Sequence, residues 1–270
     1  MLTRTRIAVG RSLGRWRDWL WWQTEAGRLT RKRLAALGGR YAGQRCFILG
    51  NGPSLRRTDV RLLRDEITIG SNGIFLLFPE VGFHTTFVTV EDPVVAEDRA
   101  GELNALHGTI KLFPRDLAHC LTADDDTMYL NFRRHYAGFP RFSEDFSDRV
   151  FWGGTVTFLN LQLAWYLGCA PLYLIGFDHE YKNPQAAAGP GPIVSTAADQ
   201  NHFHPGYFGP GYRSHDPMFD RMESSYRAAK AFLEQRGVAV FNATDGGKLE
   251  VYPRVSYSEL VSHDVPQTAG

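Results

Sequence analysis

Short, nearly continuous apolar runs, separated by glycine, proline and polar residues, recur along most of the chain. The first is Arg45-Cys46-Phe47-Ile48-Leu49, and similar runs occupy residues 66–70, 85–90, 109–113, 128–131, 172–176 and 238–241. They read as strands, several of them continuous apolar runs expected of a sheet covered on both faces. Helical patterns lie between them, over residues 58–64, 94–106, 155–167 and 219–236. In the third, Phe158, Leu159, Leu161, Gln162 and Trp165 fall close to helical spacing, and Gly168 supplies a stop. Strand alternating with helix predicts an α/β fold, a Rossmann-like doubly wound and mainly parallel sheet with right-handed crossovers.

Two segments break the alternation. Residues 1–40 read as an N-terminal helical extension ended by Gly38-Gly39. Residues 182–217 turn abruptly to Gly, Pro, Ala, His and Tyr without periodicity, and so long a C-terminal loop inside a domain is expected to be functional, for instance as a lid. The expected division is a helical segment 1–40, a Rossmann-like nucleotide-binding transferase domain 41–262 and a tail 263–270.

Composition narrows the class. The 270 residues, 43% hydrophobic and 22% charged, have ordinary globular usage, which sets aside disorder, collagen-like repeats and a disulfide scaffold. Cys46, Cys120 and Cys169 lie far apart with no C-x-x-C pair, so no zinc or redox signature is present and a reducing, cytoplasmic compartment fits; Cys46 and Cys169, in or beside apolar runs, read as buried thiols. No apolar stretch of about eighteen residues and no signal-peptide pattern is present.

The net charge is +1, yet between Arg4 and Arg40 ten Lys or Arg residues face only Asp18 and Glu25, interleaved with Trp16, Trp19, Trp21 and Trp22. Such a segment can lie in the interface of an anionic membrane, which would put residues 1–38 in peripheral contact with its inner face. Equally, it can pack its indoles on the domain or on a partner subunit. The rest of the chain supplies no matching basic surface, so no nucleic acid is expected, and a homo-oligomer is.

Chemistry gathers at the predicted strand ends. Leu49-Gly50-Asn51-Gly52-Pro53-Ser54-Leu55 follows the first strand and precedes a helical pattern. There glycines admit close approach of an anion, and the Asn51 amide and Ser54 hydroxyl add hydrogen bonds. A plain turn with a serine cap is the blander reading. Asn72 ends the second strand, Glu91 and Asp92 the third, and Asp178 and His179 a later one, all at the edge where open α/β sheets bind ligands. Glu91 and Asp92 could hold a divalent metal or merely cap a helix. Gly153-Gly154-Thr155-Val156-Thr157 opens a helix and makes a second anion-suited N-terminus. His179, His202, His204 and His215 lie in or beside the aromatic loop Asn201-His202-Phe203-His204-Pro205-Gly206-Tyr207-Phe208 and its continuation Tyr212-Arg213-Ser214-His215-Asp216-Pro217, where an imidazole could deprotonate an acceptor hydroxyl.

These motifs, with residues 174–179 and Asn242-Ala243-Thr244-Asp245-Gly246-Gly247-Lys248-Leu249, resemble a bacterial family of 6-hydroxymethylpterin diphosphokinase-like proteins found with surface-polysaccharide genes, over residues 40–260. More remotely, the order of elements is similar to bacterial sialyltransferases that use CMP-N-acetylneuraminic acid. That resemblance implies donor contacts by Asn51 and Asn72. It matches a phosphate segment loosely with Gly154-Thr155, and a loop-histidine base best with His215 and second with His204. A third asparagine of those enzymes is replaced here by Glu91 or Asp92, and Tyr181, Tyr207 and Tyr212 are candidates for donor-phosphate tyrosines.

The expected function is therefore a sialyltransferase-like glycosyltransferase that moves an acidic sugar from a CMP-activated donor to a surface-glycan acceptor. Gly50, Asn51, Gly52, Ser54, Asn72, Glu91, Asp92, Gly154, Thr155 and Asp178 would surround the donor, with His215 or His204 as base and no metal or cofactor required. One alternative is an ATP- and magnesium-dependent diphosphokinase with Glu91, Asp92 and Asp178 near the metal. Another is a non-catalytic nucleotide-binding subunit at the membrane.

Overall fold

The computed structural model describes residue 16 and residues 19–181 and 191–262. The rest of the N-terminal segment, residues 182–190 of the expected lid and the tail 263–270 lie outside the described residues. Seven strands form one sheet: β1 (Cys46–Leu49), β2 (Ile67–Ser71), β3 (Phe87–Thr89), β4 (Ile110–Pro114), β5 (Thr127–Leu130), β6 (Leu172–Ile175) and β7 (Val240–Asn242). Their order is β7-β6-β1-β2-β3-β4-β5, and every pairing is parallel. The main helices are α1 (Glu25–Ala35), α2 (Pro93–Asp98), α3 (Val156–Tyr166) and α4 (Phe219–Glu234).

The unalternating strand pattern follows from cores on both faces. In β1, Phe47 and Leu49 enter one core with Phe75, Val88 and Tyr173, while Cys46 and Ile48 enter the other with Phe158, Leu161 and Tyr226. α3 is apolar almost all round because it lies between β1–β3 and α4, and residues 157–164 are all buried. Residues 94–106, read as one helix, form two: Arg99 leaves helical geometry at φ −115° and ψ 16°, and its buried guanidinium donates to the Tyr207 carbonyl at 2.6 Å. Residues 58–64 hold only one tight turn, Val60–Leu63, capped by Asp59.

The N-terminal helix shares this core. Leu34 and Leu37 are buried among the residues beneath β1, and Arg33 donates to the Thr127 carbonyl at 3.0 Å. Among the described residues no helix is long and apolar enough to cross a membrane.

From β1 the chain builds outward to β5, then returns to place β6 on the other side of β1. The direction of winding thus reverses beside β1, and a crevice opens beyond the carboxyl ends of the strands there.

Candidate functional site

That crevice is a cavity of about 980 Å³. Ten of the residues expected at the site line it: Gly50, Asn51, Gly52 and Asn72; Glu91 and Asp92; Gly154 and Thr155; Asp178 and His215. Ser54 and His204 are not among its lining residues.

The loop after β1 is built differently from a phosphate cradle. The short 3₁₀ helix that follows it, Pro53–Arg57, has its N-terminus occupied by the Asp178 carboxylate. Ser54 donates its backbone N–H to Asp178 Oδ1 at 3.1 Å and its hydroxyl to Oδ2 at 2.7 Å. Ser54, expected to bind phosphate, is buried and engaged with a protein carboxylate instead. The Gly50 N–H donates to the Ile175 carbonyl at 2.7 Å and the Gly52 N–H to Gly176 at 2.9 Å, so the glycines let the β1 and β6 loops touch.

Three bare oxygens stand in a row above this joint. Asn51, Asn72 and Glu91 follow the adjacent strands β1, β2 and β3, and each has a buried side-chain oxygen without a hydrogen-bond partner: Asn51 Oδ1, Asn72 Oδ1 and Glu91 Oε2. Buried polar atoms are nearly always paired, so these three oxygens on one cavity wall are groups that a ligand could pair. Asn51 is oriented by donating its amide to the Ser71 carbonyl at 3.2 Å. Asn72 takes a left-handed φ of 54°, which asparagine tolerates better than most residues. Asp92 stands outside the row, because it caps α2 by accepting the Val94 N–H at 2.9 Å.

Burial pushes the Glu91 carboxyl up to about 8. The Arg134 charge and an indole hydrogen bond from Trp152 pull it down, while Asp92 adds to the rise. Between the ordinary carboxylate value and about 8, the folded protein holds a proton that the unfolded chain has lost. Glu91 therefore favours the folded state at acid pH, and stability falls as pH rises through this window, by up to about 1.4 kcal/mol per unit. Thermal denaturation of Glu91→Gln at pH 5.5, 7 and 8.5 should show a flatter slope than the wild type; equal slopes would mean that Glu91 is ionised throughout.

Anion chemistry concentrates at the start of α3, on the far side of the row. Thr155 caps this helix, holding the Thr157 N–H at 3.4 Å, and the Ser225 hydroxyl of α4 fixes the Gly153 carbonyl at 2.6 Å. Arg221 reaches into the cavity from α4 with its guanidinium 5.3 Å from the Trp152 ring centroid, and among the described residues it makes no ion pair. A helix N-terminus beside an uncompensated guanidinium favours an anion.

The histidines divide into distinct roles. His215 Nδ1 lies 2.8 Å from Asp92 Oδ2, at the cavity wall and half exposed. An ionised carboxylate can only accept, so Nδ1 is the donor in this bond. His204 instead accepts the Gly206 N–H on Nδ1 at 3.1 Å within its own turn. His202 also lines the cavity, stacked 4.1 Å from Tyr207 with its Nδ1 2.7 Å from Asp199 Oδ2. Burial would raise the Asp199 carboxyl, but the His202 bond and backbone N–H groups outweigh it and hold it below the usual range. Burial lowers His179, whose ring packs edge-on to Phe219.

Asp92 and Asp178 are tied to separate partners, His215 and Ser54, while Glu91 keeps Oε2 unpaired. Among the described residues no group of three or more His, Cys, Asp or Glu could hold a metal ion. Sequence reasoning missed Arg221, Arg134, Trp152 and Asp199. Trp152 directly precedes Gly153-Gly154 and could have been noticed; Arg221 gives no signal within an amphipathic helix.

A family model described as 6-hydroxymethylpterin diphosphokinase MptE-like matches residues 25–184. Among solved structures the chain is similar to the MAf glycosyltransferase from Magnetospirillum magneticum AMB-1, at 17% identity and a TM-score of 0.46 over 84% of this chain. It spans only 38% of that protein's chain. No curated protein matches.

Proposed function

The chain belongs to the 6-hydroxymethylpterin diphosphokinase MptE-like family, and from that premise we propose that it is a transferase of the glycosyl type, moving an acidic sugar from a CMP-activated donor to a glycan hydroxyl. The observation that carries this reading is the His215–Asp92 pair at the cavity wall. Asp92 fixes the imidazole tautomer so that Nε2 can take the proton of an acceptor hydroxyl. The acceptor oxygen then attacks the anomeric carbon from the face opposite the nucleotide, the bond to the donor phosphate breaks, and the configuration inverts.

Donor binding falls to the rest of the cavity. The oxygens of Asn51, Asn72 and Glu91 suit the hydroxyls and base edge of a nucleoside, while Arg221 and the start of α3 suit its phosphate. One guanidinium beside one helix N-terminus matches a single phosphate, and a cavity of about 980 Å³ is large enough for a nucleotide sugar.

Calorimetry with CMP, CDP, UDP and ATP, each with and without magnesium, tests the assignment. CMP should bind best, with an affinity that EDTA leaves unchanged. Binding of ATP alone, and only with magnesium, would transfer the site to the diphosphokinase reading, in which a cation bridges phosphates. CMP binding without turnover on any sugar donor would favour a nucleotide-binding subunit.

A further inference from the structure

The N-terminal face carries features that the nucleotide cavity does not use. Trp16, Trp19, Leu20 and Leu29 are all more than half exposed, and Trp16 and Trp19 meet edge to face at 5.4 Å. Their neighbours are anchored: Trp21 packs on Tyr129 at 5.6 Å beneath the Arg115 guanidinium, and Trp22 is buried. The outer indoles thus stand beside an anchored pair.

Beside them lies a cleft of about 230 Å³, lined on one side by Trp19, Trp22 and Arg31 and on the other by Arg133, Asp148 and Arg149. Arg31 and Arg149 edge the cleft from its two sides, and Arg149 lies 3.6 Å from Asp148 in a half-exposed pair of little strength. Trp22 adds an indole N–H that is buried without a partner, with Arg31 stacked 5.7 Å from its ring. Apolar indoles edged by guanidinium groups match a bilayer interface, where the rings sit at headgroup level and the cations meet lipid phosphate.

We propose that this face docks the protein on an anionic phospholipid surface, with Trp16, Trp19 and Leu20 entering the interface and the arginine cleft receiving a headgroup phosphate. Charge complementarity selects this occupant over a second copy of the chain, since the same face on a partner would set arginine against arginine. The binding is reversible, as expected for a few indoles and basic groups without a lipid anchor.

Co-sedimentation of the full chain with vesicles tests the docking. Vesicles of phosphatidylcholine with phosphatidylglycerol should bind it and pure phosphatidylcholine should not, with the bound fraction falling as salt rises. Trp16→Ser with Trp19→Ser should abolish binding, and Arg31→Gln with Arg149→Gln should weaken it about tenfold or more. The changed side chains are on the surface, so the melting temperature and CMP affinity serve as folding and site controls. Equal sedimentation with both vesicle types, full binding by the tryptophan variant, or conversion of an oligomer to a monomer by that variant would each overturn the proposal. The last outcome would make the face a protein interface. Failure here leaves the assignment of the nucleotide cavity untouched.

Discussion

Replacing His215 with alanine should lower kcat by about 10²–10⁴ while leaving donor affinity nearly unchanged. The imidazole stands at the cavity wall with Nδ1 held 2.8 Å from Asp92, so its removal deletes a proton acceptor without touching the oxygen row after β1, β2 and β3 or the arginine at α4. An imidazole base must be neutral to act, so the wild-type rate should fall on the acid side and the substitution should erase that dependence. Asp92→Asn is the informative companion. Asparagine can still cap α2, but it no longer compels Nδ1 to carry the proton, so kcat should fall with little change in melting temperature. His204→Ala should be close to wild type, because His204 holds a turn away from the cavity. A tenfold or greater loss in His204→Ala with a normal His215→Ala would reverse the assignment. If neither falls, His202 beside Asp199 is the remaining loop imidazole to test.

The fold was legible because a parallel sheet buried on both faces imposes a strong pattern. Phe47 and Ile48 point into opposite cores and both must be apolar, so several of the seven strands announced themselves as continuous runs, although β2 and β4 carry the buried polar residues Thr68 and Lys111. Long-range relations were less visible. Nothing local to Arg99 says that its guanidinium will be captured by the Tyr207 carbonyl and interrupt a helix. Asp178 read as a ligand group at a strand end, and only the return of β6 beside β1 brings it onto Ser54. Adjacent residues leaving a strand face different ways, so the choice between Glu91 and Asp92 stayed open until the row of Asn51, Asn72 and Glu91 was formed and Asp92 was found capping α2. The excursion over residues 132–152 was not read, although its Phe142 and Phe146 fill the core, because it lacks any sustained period.

Those cross-loop contacts make Gly50→Ala the second large effect, and one that separates two explanations for a glycine-rich turn. A Cβ at Gly50 would stand 2.3 Å from the Gly176 carbonyl oxygen and 2.8 Å from its carbon, and both obstacles are backbone that cannot rotate away. The β1 and β6 loops would have to part, straining the Gly50-to-Ile175 and Gly52-to-Gly176 hydrogen bonds. Overpacking and weakened hydrogen bonds together should cost about 2–4 kcal/mol. For a chain of this size that lowers the melting temperature by roughly 5–15 °C. Nucleotide affinity should fall with it, since Asn51 is carried by the displaced loop. Gly101→Ala provides the contrast: nothing lies within 4 Å of its Cβ and it sits in the short helix Ala100–Asn104, so alanine should stabilise by about 0.4–1 kcal/mol. Thermal and urea denaturation of both variants, with CMP titrations alongside, make the comparison. If Gly50→Ala kept wild-type stability but lost the nucleotide, the glycine would serve ligand approach rather than the meeting of the two loops; if it lost neither, the two loops do not touch as described.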